Sequence, residues 1–314
     1  MIILNRKVLI IDKMHDSIFN MLEQIGFSAD YRPDASRQEI EAVVGDYEVL
    51  FLRSKLSVDE AFLRKAGRLK VVGRAGAGVD QLDVETLEQR GISLINAPEG
   101  NRDAVAEHAV GMLLCLQNNL LKADAQVRQS IWDREGNRGT ELSEKTVGII
   151  GYGHMGQAFA RRLQGFGCRL LAYDKFRQGF SDELVQESSQ EDIFEQADVV
   201  SFHFPLTEEN RGIINGAYLS RFKKEILLIN TARGEILPLK DLVEKLKSGK
   251  VRGAALDVLE NEKLHQLSAE EKENFDYLVQ CDKVLLSPHV AGWTHESYRK
   301  INAVLVEKLK NLLY

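Results

Sequence analysis

The chain has 314 residues, which is long for a single hydrophobic core and sufficient for two domains. Its net charge of −6 disfavours nonspecific binding to nucleic acid or to anionic membranes, because both require an excess of Lys and Arg. No apolar run is long enough to cross a bilayer, and the first residues are typical of a strand rather than a signal peptide. These features predict an ordinary globular protein.

The three cysteines, Cys115, Cys168 and Cys281, are odd in number, widely spaced and set in apolar segments. This pattern predicts buried, reduced thiols in a cytoplasmic protein. Their spacing does not match that of metal ligands, so we expect no metal site.

Short apolar runs alternate with helical periodicity in the first third of the chain. The predicted strands cover residues 7–12, the vicinity of Tyr31, and residues 48–53, 69–74 and 92–95. The predicted helices cover residues 18–25, a segment after Ser36, and residues 58–66 and 84–90. Such alternation implies a parallel sheet covered by helices. The amphipathic segment 296–314 is free to return to this layer, so we assign residues 1–97 plus 293–314 to one domain.

A long apolar helix is predicted to begin at Asp103, a suitable N-cap, and to continue to about Leu121. We interpret it as a buried element that joins two domains, with contact to a second subunit as an added possibility. The segment 128–140 has the composition of a loop and could reach that subunit. A homodimer is therefore the expected state.

The strongest motif lies in the second domain, residues 98–292. An apolar strand from Val147 leads into a turn with Gly151, Gly153 and Gly156 and then into a helix. Gly151 allows the tight turn, Gly153 lets backbone N–H groups approach a pyrophosphate, and Gly156 lets the helix pack closely on the strand. The sequence therefore predicts a dinucleotide site at the positive end of the helix dipole.

Asp174 ends the next predicted strand, about twenty residues beyond these glycines. A carboxylate at this position accepts hydrogen bonds from the ribose hydroxyls of NAD and repels the extra phosphate of NADP. The expected cofactor is therefore NAD.

The rest of the second domain continues the alternation. Further strands are predicted at 198–204, 226–230, 253–258 and 284–287, with a helix at 239–248. Polar residues follow these strands, at the edge where open parallel sheets bind their ligands. The charged segment 264–280 is predicted to be a solvated helix and loop without chemistry.

Three of the polar residues could carry out nicotinamide chemistry on a hydroxy acid. Arg233 is the candidate cation for a carboxylate, because a guanidinium can grip both oxygens. His289 is the candidate acid and base, and Glu262 is its candidate partner. Each alone has a structural alternative: a surface ion pair, a turn residue and a solvated loop, respectively.

The sequence as a whole resembles the D-isomer-specific 2-hydroxyacid dehydrogenase family. The motifs that carry the resemblance span nearly the whole chain, in the family's order: VLFLRS, RAGAGVDQLD, NAPEGN, GYGHMGQAFARRL, SFHFPLTEENRGIIN, INTARGEIL, ALDVLENE and SPHVAGWTHES. The resemblance implies a Rossmann NAD-binding domain inserted in a flavodoxin-like substrate domain, both doubly wound around parallel sheets. It also implies that Arg233, Glu262 and His289 are catalytic.

The same resemblance implies the contacts to cofactor and substrate. The NAD contacts that it adds to the glycine turn and Asp174 are His154, Met155, His203, Phe204, Thr231, Ala232, Asp257, Ala77 and Gly292. The substrate carboxylate is expected against the backbone of Gly76, Ala77 and Gly78, and on Arg233.

Within the family, Arg53 and Arg74 resemble the phosphoglycerate dehydrogenase branch and offer two charges to a phosphate. We therefore expect D-3-phosphoglycerate, an intermediate of serine biosynthesis, as the substrate. The alternative enzyme is a glyoxylate or hydroxypyruvate reductase. An alternative outside the enzymes is a regulatory protein that binds NAD(H) without turnover. Lys263 stands where the family usually has Pro. The chain stops after the last predicted helix, without a serine-binding regulatory domain, so we expect no feedback through one.

Overall fold

The computed structural model describes residues 6–313. Residues 1–5, for which we argued against a signal peptide, and Tyr314, which ends the last predicted helix, lie outside the described part. The chain divides into two compact units: unit 1 contains the residues up to 102 and from 293 onward, and unit 2 contains residues 103–292. The sequence led us to place the first division after residue 97.

Strands and helices are numbered in chain order. The strands are β1 (Arg6–Ile10), β2 (Phe27–Tyr31), β3 (Val49–Leu52), β4 (Val71–Arg74), β5 (Ser93–Asn96), β6 (Thr146–Ile150), β7 (Arg169–Tyr173), β8 (Gln186–Glu187), β9 (Val199–Phe202), β10 (Ile226–Asn230), β11 (Val251–Leu256) and β12 (Val284–Leu286). The helices are α1 (Ser17–Gln24), α2 (Arg37–Val43), α3 (Glu60–Lys65), α4 (Val84–Gln89), α5 (Pro98–Gln117), α6 (Leu120–Arg128), α7 (His154–Leu163), α8 (Gln190–Gln196), α9 (Gly216–Ser220), α10 (Leu239–Lys247), α11 (Ala269–Gln280) and α12 (His295–Leu313).

Unit 1 is built on a five-stranded parallel sheet in the order β2-β1-β3-β4-β5. This is the strand order of flavodoxin-like folds. Alternate residues of β1 point to opposite faces, so Val8 lies in one core cluster and Leu9 in the other. The amphipathic face of α12 covers the first of these clusters with Ile301 and Leu305. The last helix thus packs on the first layer, as its apolar pattern predicts.

Unit 2 is built on a seven-stranded parallel sheet in the order β12-β11-β10-β9-β6-β7-β8. Counted from β6, six of these strands follow the Rossmann order 3-2-1-4-5-6, and β12 extends that sheet. Ile149 and Ile150, neighbours in β6, enter the two clusters on opposite faces. The predicted fold class, two doubly wound parallel sheets, is confirmed.

Our prediction of a helix from Asp103 to about Leu121 was wrong at both ends. α5 begins at Pro98, because a proline has no N–H to lose in the first turn of a helix. It ends at Gln117, and Asn119 then takes a left-handed conformation with φ 52° before α6 starts. Met112 and Leu113 of α5 are buried in the unit 2 core, which supports our interpretation of a buried element.

Several features of unit 2 differ from the sequence prediction or were missing from it. β8, α8 and α9 were not predicted, because they are short and their apolar residues are too few to show a period. The cysteines are free as expected, but all three are half-buried rather than buried. Among residues 6–313, no helix is both long and apolar enough to cross a membrane, and no group of three or more His, Cys, Asp or Glu side chains is placed to hold a metal ion.

Candidate active site

The glycine turn between β6 and α7 is shaped by close backbone contacts. Gly151 has φ +95°, and a Cβ on it would lie 2.7 Å from the carbonyl carbon of His203. A Cβ on Gly156 would lie 2.1 Å from the carbonyl oxygen of Gly151. Around Gly153, by contrast, a Cβ would meet no described atom within 4 Å. Two of the glycines are therefore required by packing, and Gly153 faces open space.

The residues around this turn fit a dinucleotide. α7 starts directly after Gly153, which contributes no side-chain acceptor to the first N–H groups of the helix. After β10, the Oγ1 atom of Thr231 is buried without a hydrogen-bond partner in the described part of the chain. Donors at a helix start and an unsatisfied hydroxyl are groups that a bound nucleotide would satisfy. NAD is thus compatible with the residues present.

Asp174 follows β7 and links the glycine turn to the next loop. One carboxylate oxygen accepts the N–H of Tyr152 at 2.7 Å, and the other accepts those of Phe176 and Arg177 at 2.9 and 3.1 Å. Arg177 also donates to the carbonyl oxygen of Tyr152 at 2.6 Å. The carboxylate is half-buried and held in place, and its contact with a ribose stays a prediction.

His203 follows β9 on the other side of the glycine turn. Burial lowers the pKa of its imidazole to about 3, so the ring is neutral at physiological pH. Its Nε2 atom lies 2.8 Å from the hydroxyl of Ser201, and its ring lies 5.2 Å from that of Phe159. Any contact of His203 with a nucleotide is therefore a contact of a neutral ring.

The structure brings Glu262 and His289 together. The Nδ1 atom of His289 lies 2.9 and 3.1 Å from the two carboxylate oxygens of Glu262. This hydrogen bond raises the pKa of His289, against the effect of burial and of the positive charge of Arg233. Both side chains are about half exposed, at 48% each. The pair can hold and release a proton at a solvent-accessible position.

Arg233 follows β10 and is positioned through its backbone by Asn230, a fully buried side chain that the sequence prediction did not single out. The amide of Asn230 donates to the carbonyl oxygen of Arg233 at 2.8 Å and accepts the N–H of Ala232 at 3.0 Å. Gly234 comes so close to Leu259 that a Cβ would lie 1.9 Å from its carbonyl oxygen. The turn that carries Arg233 is thereby packed against the segment leading to Glu262.

Asp257, at the end of β11, holds the loop of His289. Its carboxylate is only 1% exposed and accepts the N–H groups of Val290 and Ala291 at 2.9 and 2.8 Å. Its carbonyl oxygen accepts the N–H of His289 at 2.7 Å. His289 itself has φ 54°, a conformation that non-glycine residues adopt only where their surroundings impose it. Asp257 supplies that constraint, and its predicted contact with the nicotinamide stays a prediction.

The same network extends to α5 through residues that sequence reasoning missed. The hydroxyl of Ser287 donates to Asp257 at 2.6 Å, and the Nε2 atom of His108 lies 3.0 Å from that hydroxyl. His108 also lies 3.6 Å from the Asp257 carboxylate. The only signal in the sequence was a histidine on a mainly apolar helix, which more often indicates a core residue.

The predicted substrate residues of unit 1 follow β3 and β4. After β4, the carbonyl oxygen of Ala77 accepts the amide of Asn96 at 2.7 Å, which ties down the Gly76 to Gly78 loop. The guanidinium of Arg74 lies over this loop, so a Cβ on Gly76 would come within 1.6 Å of it. Because Gly76 has no Cβ, the guanidinium of Arg74 has room at this position.

Arg53, after β3, packs against two aromatic rings. Its guanidinium carbon lies 3.9 Å from the ring centre of Trp293 and 5.3 Å from that of Tyr298. Neither aromatic residue was singled out from the sequence. The remaining predicted contact residues are half-buried or exposed and lie at strand ends, at the start of α7 or in loops: His154, Met155, Phe204, Ala232, Gly78 and Gly292.

A Rossmann sheet with a glycine turn, and a His-Glu pair beside its last strand, define a dinucleotide-dependent enzyme class. Comparison with known proteins identifies the family. The sequence model of the NAD-binding domain of the D-isomer-specific 2-hydroxyacid dehydrogenases matches residues 110–291, more than half of the chain. The chain belongs to this family, so the resemblance seen in the sequence is confirmed and NAD is the cofactor of this domain.

Individual relatives and structures agree with this assignment. A D-3-phosphoglycerate dehydrogenase from Methanocaldococcus jannaschii is 34% identical over 98% of this chain, which spans 57% of that protein. A hydroxypyruvate reductase from Thermotoga maritima is 33% identical, with 87% of each chain covered. A D-lactate dehydrogenase from Aquifex aeolicus, solved with NAD and lactic acid, superposes with a TM-score of 0.84 at 25% identity, covering 98% of this chain and 95% of its own. The chain thus spans little more than half the length of the phosphoglycerate dehydrogenases that it matches.

Proposed function

We propose that the protein is an NAD-dependent dehydrogenase that interconverts a D-2-hydroxy acid and its 2-keto acid. The observation that carries this proposal is the contact between His289 and Glu262 in the NAD-binding unit, at 2.9 Å. A hydrogen-bonded carboxylate keeps the imidazole protonated at higher pH than usual, and a protonated imidazole is what a keto oxygen needs when it is reduced.

The residues take complementary parts in the reaction. Bound NAD supplies the site that accepts or returns the hydride. In the reducing direction His289 donates a proton to the substrate oxygen, and in the oxidising direction it takes that proton back. Glu262 stabilises the protonated imidazole, and Arg233 holds the substrate carboxylate with its guanidinium.

The substrate that we propose is D-3-phosphoglycerate, with phosphohydroxypyruvate as the keto acid, which places the protein in serine biosynthesis. Arg53 and Arg74 are assigned to the phosphate. Arg53 supports this assignment because it is a half-buried cation without a carboxylate within salt-bridge distance among residues 6–313. The names of several relatives support it as well. Hydroxypyruvate is the second candidate, favoured by the relative from Thermotoga maritima that matches over most of its own length.

Reduction of four keto acids tests this function. NADH consumption is measured with phosphohydroxypyruvate, hydroxypyruvate, glyoxylate and pyruvate offered separately, and we expect the highest kcat/KM with the first. Arg74→Ala should then weaken the binding of phosphohydroxypyruvate much more than the binding of glyoxylate. His289→Gln should keep its affinity for NADH and lose roughly 100-fold or more in kcat. Tight NADH binding without reduction of any of the four acids would instead favour a regulatory NAD(H)-binding protein.

We further propose that the protein works in the cytoplasm as a homodimer. The free cysteines suit a reducing compartment.

The dimer is supported by exposed apolar side chains that cluster in and after α6: Leu120, Leu121, Val127, Ile131 and Trp132. Trp132, 79% exposed, is the largest of them. Trp132→Lys should shift sedimentation equilibrium toward monomer, whereas Phe176→Lys, at an exposed aromatic residue elsewhere in unit 2, should not.

A further inference from the structure

Arg53 has an unusual environment for a charged side chain. Burial lowers its pKa, so the site withdraws part of the guanidinium from water. Asp12, the acid whose charge acts on the guanidinium, uses one carboxylate oxygen to accept the backbone N–H groups of Arg53 and Lys55, at 2.6 and 3.3 Å. Gln81 donates to the carbonyl oxygen of Arg53. The backbone of Arg53 is thus fixed, while its cation lacks an ion pair within the described residues.

The support for the guanidinium comes from aromatic faces. Trp293 lies two residues before the start of α12, and Tyr298 lies in its first turn. The two rings lie 5.3 Å apart, with Arg53 3.9 Å from the first and 5.3 Å from the second. The negative face of an aromatic ring stabilises a cation without occupying its N–H donors. The side chain of Tyr298 also accepts a hydrogen bond from the guanidinium, whereas Trp293 contributes only its ring. A carboxylate in the same place would bind those donors and neutralise the charge.

The exposed fraction of the Trp293 side chain also indicates a role for its contact with Arg53. This indole is 55% exposed, which is high for a tryptophan, and its close contact with Arg53 accounts for its position. Tryptophan provides the strongest aromatic site for a cation, and guanidinium stacks flat on it. The position of the guanidinium is thereby restricted, and its planar set of N–H donors suits a ligand with several anionic oxygens.

We propose that Trp293 is a specificity-determining positioning residue, whose indole face holds Arg53 in the orientation that binds the phosphate of a phosphorylated 2-keto acid. This inference rests on the proposed function, because it requires that the enzyme accept such a substrate. It assigns Trp293 no contact with the reacting atoms.

The experiment compares phosphohydroxypyruvate with hydroxypyruvate, which lacks the phosphate, in the wild type and in Trp293→Ala. We expect the KM for phosphohydroxypyruvate to rise about tenfold, the size of a cation–π contact partly shielded from water. The KM and kcat for hydroxypyruvate should change less than about twofold, which also shows that the variant is folded. Trp293→Phe keeps an aromatic face and should restore most of the lost affinity.

A double-mutant cycle shows whether Trp293 acts through Arg53. In an Arg53→Ala background, Trp293→Ala should cause no further rise in the KM for phosphohydroxypyruvate. If Trp293→Ala raises both KM values equally, or acts fully in that background, the inference is overturned while the proposed function stands. If the wild type does not reduce phosphohydroxypyruvate at all, the proposed substrate is wrong and the inference falls with it.

Discussion

The loop of His289 and the side chain of Arg53 are held in place by different forces. In unit 2, the His289 loop is fixed by hydrogen bonds to a buried carboxylate, Asp257, through two backbone N–H groups and the hydroxyl of Ser287. In unit 1, the guanidinium of Arg53 is supported by the rings of Trp293 and Tyr298, and none of the described carboxylates lies within salt-bridge distance of it. One region depends on polar atoms with fixed directions, and the other depends on an aromatic face.

This difference predicts how each region responds to change. A buried hydrogen-bond network loses the full desolvation cost of every partner that is left unsatisfied, so a single substitution in it has a large effect. When the aromatic ring beside a cation is replaced, only a modest attraction is lost, and its size depends on which side chain takes the place of the ring. We therefore expect the His289 loop to be intolerant of substitution, and substitutions around Arg53 to change affinity gradually.

Among the variants that change how each region is held in place, Asp257→Asn should produce the largest effect. The amide N–H groups of Asn would face groups that themselves donate hydrogen bonds, the N–H groups of Val290 and Ala291 and the hydroxyl of Ser287. The left-handed conformation of His289 would then lose its constraint. We expect stability to fall by about 2–4 kcal/mol, because buried donors lose their acceptor. We also expect kcat to fall on the order of 100-fold, because His289 is misplaced. Thermal unfolding and steady-state kinetics measure these two quantities.

Asp282→Asn is the matched control for that variant. Asp282 is more than half exposed, and its ion pair with Lys122 spans 3.6 Å. Exposed ion pairs of this kind contribute about 0–1 kcal/mol, so stability and kcat should hardly change. If Asp257→Asn behaved like this control, the buried carboxylate would not be what holds the His289 loop.

The sequence predicted most of the fold because the apolar periodicity was strong. The alternation of strands and helices and the glycine turn at Gly151 determined both sheets, and the structure agrees. The failures were local. The start of α5 was misjudged because Asp103 is a good N-cap, yet Pro98 fits the first turn equally well. Its end depended on the left-handed Asn119, which no periodicity reveals.

The candidate site was predicted unevenly for a physical reason. Glu262 and His289 were selected by their chemistry and by the family resemblance, and the structure places them in contact. The residues that support them, such as His108, meet their partners only after folding, about 180 residues away in the chain. Trp293 was missed because an exposed tryptophan near a helix start has no local pattern that indicates its partner.

Glu262→Gln should have a smaller effect on turnover than Asp257→Asn, and its pH dependence distinguishes the His289 loop from the Arg53 side chain. The hydrogen bond from His289 to Glu262 raises the pKa of the imidazole, so the proton donor is present up to a higher pH than in an isolated histidine. Without the carboxylate that pKa falls, and the alkaline decline of keto-acid reduction moves to lower pH. At pH 7 we expect a loss on the order of tenfold in kcat/KM, less than removal of the imidazole would cause.

The pH profile of this variant also distinguishes the proposed catalytic pair, Glu262 and His289, from the proposed phosphate-binding residue Arg53. Glu273→Gln, at an exposed carboxylate of α11, should leave the profile where it is in the wild type. Trp293→Ala should change the KM for phosphohydroxypyruvate without moving the alkaline limb, because an arginine keeps its charge throughout the range in which histidine titrates. A profile that is unchanged in Glu262→Gln would mean that another group sets the protonation of His289. The contact at 2.9 Å would then be structural, and the His289 loop would owe its function to Asp257 alone.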